Sequence, residues 1–229
     1  MSEGDSCDIN AKDSSCCSAP VTEVAKDLKS HWDKAYSNSP IYKLGWFETD
    51  LSPSLKLIEK AGIDKSARVL NIGAGSTTLI DTLLDMGFEN LIATDISPVS
   101  LESIEKRVGT GKVEMIVDDL TNATKLSEIE PVDLWIDRAV LHFFTEEKDQ
   151  TAYFELLKKT IKTGGFALIA EFNLDGALKC SGLDVYRYNK DMIADELGSD
   201  FTLIDHFNYT YTMPSGDARE YVYTLFQKA

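Results

Sequence analysis

The chain has 229 residues, enough for one large domain, or one domain with an extension, that buries its own core. Its 38 acidic residues outnumber 23 basic ones and give a formal net charge of -15. Because nucleic-acid binding requires Lys and Arg against phosphates, this charge disfavours DNA or RNA and favours a small molecule or a basic protein segment as partner. No apolar run approaches the roughly 18 to 20 residues that cross a bilayer, and the polar N-terminus lacks the features of a signal peptide. We therefore predict a cytoplasmic protein without a membrane partner; the sequence carries no indication of oligomeric state.

Three of the four cysteines, Cys7, Cys16 and Cys17, lie near the N-terminus, and the fourth is Cys180. Adjacent Cys16 and Cys17 do not have the spacing of zinc ligands, so we predict no metal site. Free thiols in a reducing compartment are one interpretation. The alternative is that Cys16, Cys17 and Cys180 together hold a thiophilic species such as arsenite. The Ser, Asp and Cys content predicts a disordered tail over residues 1–24 and a single domain over 25–229.

Two helices are predicted first. Val24–Tyr36 has an apolar or aromatic residue at every fourth position, on one helical face. Further on, Ser52 is predicted to cap a second helix, with Pro53 at its first helical position. The inward stripe of that helix lies within Leu55–Ala61, and Gly62 ends it.

A strand, a glycine turn and a helix follow. Val69–Ile72 is a short apolar run, long enough for one buried strand, and it leads directly into Gly73 and Gly75. The next segment, Leu79–Met86, spaces its apolar residues three and four apart, as a helix does. A second strand ends in Asp95, about twenty residues beyond the turn, where a carboxylate can accept hydrogen bonds from both hydroxyls of a ribose. This order forms the first half of a nucleotide-binding βαβ unit.

Two classes of cofactor use this layout. Dinucleotide sites prefer G-x-G-x-x-G, whose third glycine is Thr78 here, so an NAD-dependent oxidoreductase is the less favoured alternative. The segment Asn71-Ile72-Gly73-Ala74-Gly75-Ser76-Thr77 resembles the first motif of the class I S-adenosylmethionine-dependent methyltransferases. It departs from that motif at Asn71, where an acid is usual, and at Thr77, where the third glycine is usual. The resemblance implies S-adenosyl-L-methionine as cofactor, in contact with Asn71, Gly73, Ala74, Gly75, Thr77, Asp95 and Ile96.

The third strand is predicted to bring two further acids to the same region. Ser97 is expected to cap the preceding helix, and the strand Val113–Val117 leads into Asp118, Asp119 and Leu120. The family resemblance implies an acid here that hydrogen-bonds the adenine amino group, with the next residue beside the ring. We favour Asp118, because the strand ends immediately before it. The alternative is that the two carboxylates only cap a turn.

The fourth strand, Val132–Ile136, delivers Asp137, Arg138 and His142. Ligands of a parallel sheet sit outside the carboxyl ends of its strands, so we predict Asp137 and Arg138 beside the cofactor. Asp137 or His142 is the candidate general base near the transferred methyl group. A structural ion pair between Asp137 and Arg138, and a His142 ring satisfied inside the fold, are the alternatives.

The remaining elements complete an α/β fold. A helix with apolar positions from Tyr153 to Ile161 is followed by the strand Phe166–Phe172 and then by a helix over Lys190–Leu197. The last two predicted strands are Phe201–Phe207 and Glu220–Phe226, joined through a turn at Met213–Gly216. The order predicts a doubly wound, seven-stranded, mostly parallel sheet with a C-terminal antiparallel hairpin, the Rossmann-like arrangement of class I methyltransferases. The long loop over residues 173–188 is predicted to carry function, with Cys180 and Arg187 lining the substrate pocket.

Three motifs narrow the resemblance. Trp32-Asp33-x-x-Tyr36, Asp137-Arg138-Ala139-Val140 and Cys180-Ser181-Gly182-Leu183 resemble a subgroup of small class I methyltransferases of the type 11/12 kind. Many such enzymes have an N-terminal aromatic lid, which implies a lid over residues 25–62 with Trp32, Tyr36 and Trp46 against the cofactor. Aromatic packing of a helix onto the sheet is the alternative.

We therefore predict a methyltransferase that acts on a small molecule or a protein side chain. A thiol or arsenite acceptor that uses Cys16, Cys17 and Cys180 is an alternative, and so is a noncatalytic cofactor-binding module. The sulfonium methyl group is already activated, so the protein chiefly has to align it with the acceptor in a dry pocket. A base is needed only if the acceptor must lose a proton near the transition state.

Overall fold

The computed structural model describes residues 27–75 and 77–229. The predicted tail with Cys7, Cys16 and Cys17, and the predicted helix start at Val24, lie outside these residues. The α-helices are α1 (Leu28–Asn38), α2 (Ser52–Ala61), α3 (Leu79–Asp85), α4 (Pro98–Val108), α5 (Glu147–Thr160) and α6 (Lys190–Leu197). The strands are β1 (Arg68–Ile72), β2 (Asn90–Asp95), β3 (Glu114–Val117), β4 (Val132–Arg138), β5 (Ile161–Phe172), β6 (Lys179–Cys180), β7 (Leu183–Asp184), β8 (Phe201–Thr212) and β9 (Ala218–Lys228). No helix within the described ranges is both long and apolar enough to cross a membrane.

Acidic side chains begin the first two helices. Asp27 caps α1, and its carboxylate accepts a hydrogen bond from the backbone N–H of Ser30 at 3.0 Å. The prediction that Ser52 caps α2 is wrong by position, because Ser52 is the first helical residue and its N–H donates to Asp50 at 2.9 Å. Gly62 ends α2 as predicted, at φ 62°, in the left-handed region that glycine enters without steric cost.

The main sheet confirms the predicted fold class. Its strand order is β3-β2-β1-β4-β5-β9-β8. Strands β1 to β5 pair in parallel, whereas β9 pairs antiparallel with both β5 and β8. The chain moves from β1 outward to β3 and then returns to β4, which lies beside β1. The loops after β1 and β4 therefore diverge at a topological switch point, where open α/β sheets bind their ligands.

The sheet buries both of its faces. Along β1, Val69 belongs to one hydrophobic core, whereas Leu70 and Ile72 belong to the other, as the alternation of a strand requires. Helices α2, α3 and α4 cover the first core, and α5 and α6 cover the second. Because both faces are buried, the sequences of the parallel strands are apolar at nearly every position.

Several strands are longer than predicted. Strand β4 continues through Arg138, and β5 begins at Ile161, with its pairing register shifted between Val132 and Leu134 of β4. Strand β8 runs on to Thr212, and its pairing register with β9 shifts between Leu203 and Asp205. The long loop after β5 is not without structure, because β6 and β7 form a small antiparallel ribbon within it.

Candidate active site

A cleft lies at the carboxyl edge of the sheet, where the loops after β1, β2, β3 and β4 meet and α1 and the segment around Trp46 lie over them. We call it the main cleft. It brings together these predicted residues: Trp32, Tyr36, Trp46, Asn71, Gly73, Ala74, Thr77, Asp95, Ile96, Asp118, Asp119, Leu120, Arg138 and Cys180. Sequence reasoning missed Glu48, Val140 and Phe143 in its wall.

The glycine turn requires its glycines. Gly73 and Gly75 have φ of 49° and 55°, which L side chains rarely adopt. A Cβ on Gly73 would lie 2.2 Å from Val140 Cγ2, and one on Gly75 would lie 2.5 Å from Tyr36 Oη. The turn is therefore packed against both the loop after β4 and helix α1, which keeps the backbone near the floor of the main cleft.

Asp95 is held by the backbone on both sides. One carboxylate oxygen accepts from Gly75 N–H at 2.9 Å and the other from Ser97 N–H at 2.8 Å. The residue is only 7% exposed, and burial raises the pKa of its carboxyl to about 6 despite these hydrogen bonds. A carboxylate has acceptor sites beyond these two hydrogen bonds, so the group can still accept from a ligand in the main cleft.

Asn71 leaves a buried acceptor without a donor. The residue is 5% exposed, and its amide nitrogen makes long contacts of 3.4 Å with the carbonyls of Ile72 and Ile136. Its Oδ1 accepts no hydrogen bond from any described residue. Because an unsatisfied buried acceptor is costly, this oxygen in the wall of the main cleft is suited to a ligand donor.

The two acids after β3 are engaged differently. Asp118 accepts hydrogen bonds from three backbone N–H groups of the following loop, of Thr124, Lys125 and Leu126. Partial burial would raise the pKa of Asp118, but the backbone hydrogen bonds outweigh it and leave the pKa below its ordinary value. Asp119 accepts from Thr121 alone, at both its N–H and its hydroxyl. Both acids line the main cleft, and Asp119 is the less engaged of the two.

Aromatic side chains cover the opposite wall. The rings of Trp32 and Trp46 lie 5.3 Å apart and those of Trp32 and Phe143 lie 5.0 Å apart, both edge to face. Helix α1 is tied down beside them, because Ser97 Oγ donates to Asp33 at 2.6 Å. Ser97 is at the N-cap position of α4, as predicted, but its hydroxyl donates to Asp33 and makes no cap hydrogen bond.

Arg138 joins this cover to the sheet. Its Nε lies 2.7 Å from Glu48, and Nη1 donates to the carbonyl of Trp46 at 3.2 Å. The guanidinium also packs over the rings of Tyr211 and Tyr221, at 4.8 and 4.9 Å from their centroids. The ion pair predicted as an alternative is therefore wrong in its partner, which is Glu48 and not Asp137.

Asp137 and His142 do not line the main cleft. Both are 0% exposed, on the far side of the loop that follows β4. Asp137 accepts from Tyr153 Oη at 2.7 Å and from Val140 N–H at 3.1 Å. His142 Nδ1 lies 2.7 Å from Glu171, which also accepts hydrogen bonds from the backbone N–H groups of Val140, Leu141 and His142.

Strand alternation explains that placement. Because β4 runs through Arg138, its neighbours Asp137 and Arg138 face opposite sides of the sheet. Ile136 and Arg138 line the main cleft, whereas Asp137 joins Glu171 in a buried acidic pair. Burial raises the pKa of Asp137 well above its ordinary value and that of Glu171 to about 8. These carboxyl groups accept hydrogen bonds from the backbone of the loop after β4, and they do not line the main cleft.

Only one of the two predicted substrate residues, Cys180 and Arg187, lies at the main cleft. Cys180 lines the main cleft. Arg187 does not, because its guanidinium donates to the carbonyls of Leu174 and Gly176 and closes the long loop on itself. No cluster of metal-ligating side chains occurs among the residues that the structure describes.

Residues 69–165 match the family model described as "Methyltransferase domain". This match covers β1 to β4 and α3 to α5, and so includes the loops after β1, β2, β3 and β4 that line the main cleft. Together with the sheet order, this match shows a methyltransferase domain whose fold is the Rossmann-like arrangement that class I methyltransferases have. The enzyme is an S-adenosylmethionine-dependent methyltransferase, with S-adenosylmethionine as its cofactor.

Among curated proteins, the chain is 25% identical over 165 residues to human EEF1A lysine methyltransferase 2, covering 65% of this chain and 69% of that protein. Among solved structures, it is similar to an S-adenosylmethionine-dependent methyltransferase from Anabaena variabilis, with a TM-score of 0.72 at 14% identity over 88% of this chain and 93% of the other. It is also similar to 1,6-didemethyltoxoflavin-N1-methyltransferase from Burkholderia thailandensis, with a TM-score of 0.62 at 19% identity over 88% and 87% of the two chains. The structural likenesses concern the fold.

Proposed function

We propose that this enzyme methylates the side-chain amine of lysine in a protein acceptor. The observation that carries the proposal is that one cleft contains both a ribose-type acid, Asp95, and an aromatic enclosure that includes Trp32 and Trp46. The lysine methyltransferases among its curated relatives support an amine acceptor. The acidic surface supports a basic partner.

The residues of the main cleft fit the cofactor end to end. Asp95 accepts the ribose hydroxyls, and Asn71 Oδ1 accepts the ammonium of the methionine part, a group whose donors match its vacant acceptor site. Asp119, or Asp118 as favoured from the sequence, accepts the adenine amino group, with Leu120 and Ile96 beside the ring. These residues follow β3, β2 and β1, so they would hold the cofactor across the ends of those strands, and the cleft beside β4 would receive its methyl group.

The acceptor end is then the part of the main cleft beyond β1. Trp32, Trp46 and Phe143 enclose it, and aromatic faces attract an alkylammonium group as it arrives. S-adenosylmethionine supplies an electrophilic methyl group bound to positively charged sulfur. The lone pair of the amine forms the new N–C bond as the methyl–sulfur bond breaks, whose electrons remain on the sulfur of S-adenosylhomocysteine. The product is a methylated ammonium, which carries the positive charge that sulfur loses and can then release a proton to water.

The chain supplies alignment more than acid–base chemistry. Glu48 is the carboxylate at this end of the cleft, and it is committed to Arg138 at 2.7 Å. The lysine therefore loses its first proton to solvent, and exclusion of water by the aromatic rings favours its neutral form afterwards. Catalysis follows from holding the amine in line with the methyl group.

The test has two stages. Calorimetry with S-adenosylhomocysteine and with NAD separates the two cofactor classes, and binding of NAD alone would contradict the proposal. Labelled S-adenosylmethionine is then offered to lysine peptides, to a protein extract and to small thiols in parallel. Label on lysine after acid hydrolysis supports the proposal. Transfer to thiols alone, or to no protein component while S-adenosylhomocysteine binds, would refute the amine acceptor.

A further inference from the structure

A second cavity adjoins the main cleft, and we call it the side cavity. It is lined by residues from α1, the segment before α2, the β6–β7 ribbon and the β8–β9 hairpin. Trp46 and Cys180 line both spaces. The two cavities therefore meet at the aromatic end of the main cleft, where the proposed function has the acceptor amine.

Sheet topology gives the side cavity a direction. The main cleft crosses the carboxyl ends of β3, β2, β1 and β4. The side cavity includes Phe172, the last residue of β5, and Tyr221, which pairs with it on β9. Since β5 and β9 are the next strands in order, the side cavity continues the main cleft along the same edge of the sheet.

The charge of the side cavity is opposite to that of the chain. Its lining contains Lys43 and Arg219 as its charged residues, and no carboxylate lines it within the described chain. Neither cation forms an ion pair with a described residue, and Arg219 donates only to the carbonyl of Ala218. In a protein with 38 acidic and 23 basic residues, two unpaired cations beside the acceptor end form a local site for a negative group.

We infer that the side cavity binds an acidic residue of the acceptor protein, close in sequence to the lysine that is methylated. This inference rests on the proposed function and deepens it by naming the sequence context of the target. Lys43 and Arg219 pair with a Glu or Asp side chain of the bound segment, while the neighbouring lysine passes Trp46 and Cys180 into the main cleft. Specificity then combines an acidic enzyme surface that attracts basic proteins with a basic subsite that selects among their lysines.

The experiment uses a set of lysine peptides in which one Glu is moved stepwise along either side of the lysine, each with a matched Gln peptide. Affinity is measured by calorimetry in the presence of S-adenosylhomocysteine, and methyl transfer is measured separately with labelled cofactor. We expect at least one Glu position to bind about tenfold more tightly than its Gln partner, as a charged hydrogen-bonded contact predicts. The double variant K43E/R219E should abolish or reverse this preference.

A matched control carries the same change of net charge elsewhere. Lys106 and Lys148 are exposed on α4 and α5, away from both cavities, and K106E/K148E should retain the wild-type preference. Equal affinities for Glu and Gln peptides at every position, or equal losses in the two double variants, would overturn the subsite. If no lysine peptide is methylated, the acceptor proposal fails, but the binding comparison still decides the subsite in either direction.

Discussion

Replacement of Asp95 by Asn tests how the cofactor is held. The carboxylate already accepts from the backbone N–H groups of Gly75 and Ser97 and retains acceptor capacity for a ligand. Asn keeps one oxygen, and its NH2 group must face the N–H of Gly75 or of Ser97, from which it cannot accept; the variant therefore also loses a charge-assisted hydrogen bond from the ribose. Such a bond contributes about 1.5 to 3 kcal/mol, which predicts a Kd for S-adenosylhomocysteine about 10- to 150-fold higher. Calorimetry measures this change, with Asp85→Asn on α3, an exposed position, as the matched control.

The same residue predicts a pH dependence. Burial raises the pKa of Asp95 to about 6 in the free protein. Donation from ribose hydroxyls stabilises the charged form, so the pKa falls when the ligand binds, and below pH about 6 binding must release a proton. Affinity of the wild type should therefore be flat from pH 7 to 8 and weaken by up to about tenfold per unit below pH 6. Asp95→Asn should lose this dependence; unchanged affinity in the folded variant, or a wild-type affinity equal at pH 5 and pH 8, would refute the assignment.

Three further predictions concern the frame around the main cleft. Gly75→Ala should lower the free energy of unfolding by about 1 to 2 kcal/mol from backbone strain alone, and should also weaken cofactor binding because its Cβ meets Tyr36 Oη at 2.5 Å. Glu171→Gln should reduce, but not remove, the fall in stability as the pH rises from about 4.5 to 8. Burial raises the folded pKa of Glu171 to about 8, so the folded state keeps a proton that the unfolded state has released, and Asp137, whose pKa is also raised, contributes in the same direction. Asp33→Ala should speed hydrogen exchange in α1 and weaken cofactor binding several-fold, because the 2.6 Å hydrogen bond from Ser97 is lost.

Each of these has a control within the chain. Gly62→Ala carries the same kind of strain at φ 62° with nothing within 4 Å, so equal cofactor affinities in the two glycine variants would contradict the Tyr36 contact. For Glu171, urea unfolding at several pH values gives the slope, and a Gln variant with the wild-type slope would contradict the buried ionisation. Lys29→Ala removes the surface partner of Asp33 at 2.7 Å and keeps Ser97, so it should leave exchange in α1 nearly unchanged.

The sequence predicts the central part of the fold well because its signals are local. Val69–Ile72, the glycines after it and Asp95 lie within one βαβ unit, where periodicity and turn chemistry act over a few residues. The terminal hairpin is readable for the same reason. The Arg138–Glu48 ion pair is not, because its partners are ninety residues apart and meet only through the sheet topology.

Asp137 and His142 illustrate a different limit. The fourth strand was predicted to end at Ile136, so Asp137 and Arg138 were both expected in a loop that faces the ligand. The strand continues for two residues, and its alternation then allows Arg138 but not Asp137 to face the main cleft. A polar residue at the end of an apolar strand is therefore a weak indication of a general base unless the side of the sheet on which its side chain lies is known.

The buried acids nevertheless contribute to the shape of the site. Glu171 and Asp137 lie on one face of neighbouring strands and together accept hydrogen bonds from the backbone of the loop after β4, in which Ala139 has a φ of 66°. Such a conformation is strained for a residue with a Cβ and persists only when its surroundings hold it. That loop carries Val140 against the glycine turn and Phe143 against Trp32. Carboxyl groups on the hidden side of the sheet thus fix the wall on the side of the proposed acceptor, and Glu171→Gln or Asp137→Asn should change the rate of methyl transfer more than the affinity for the cofactor.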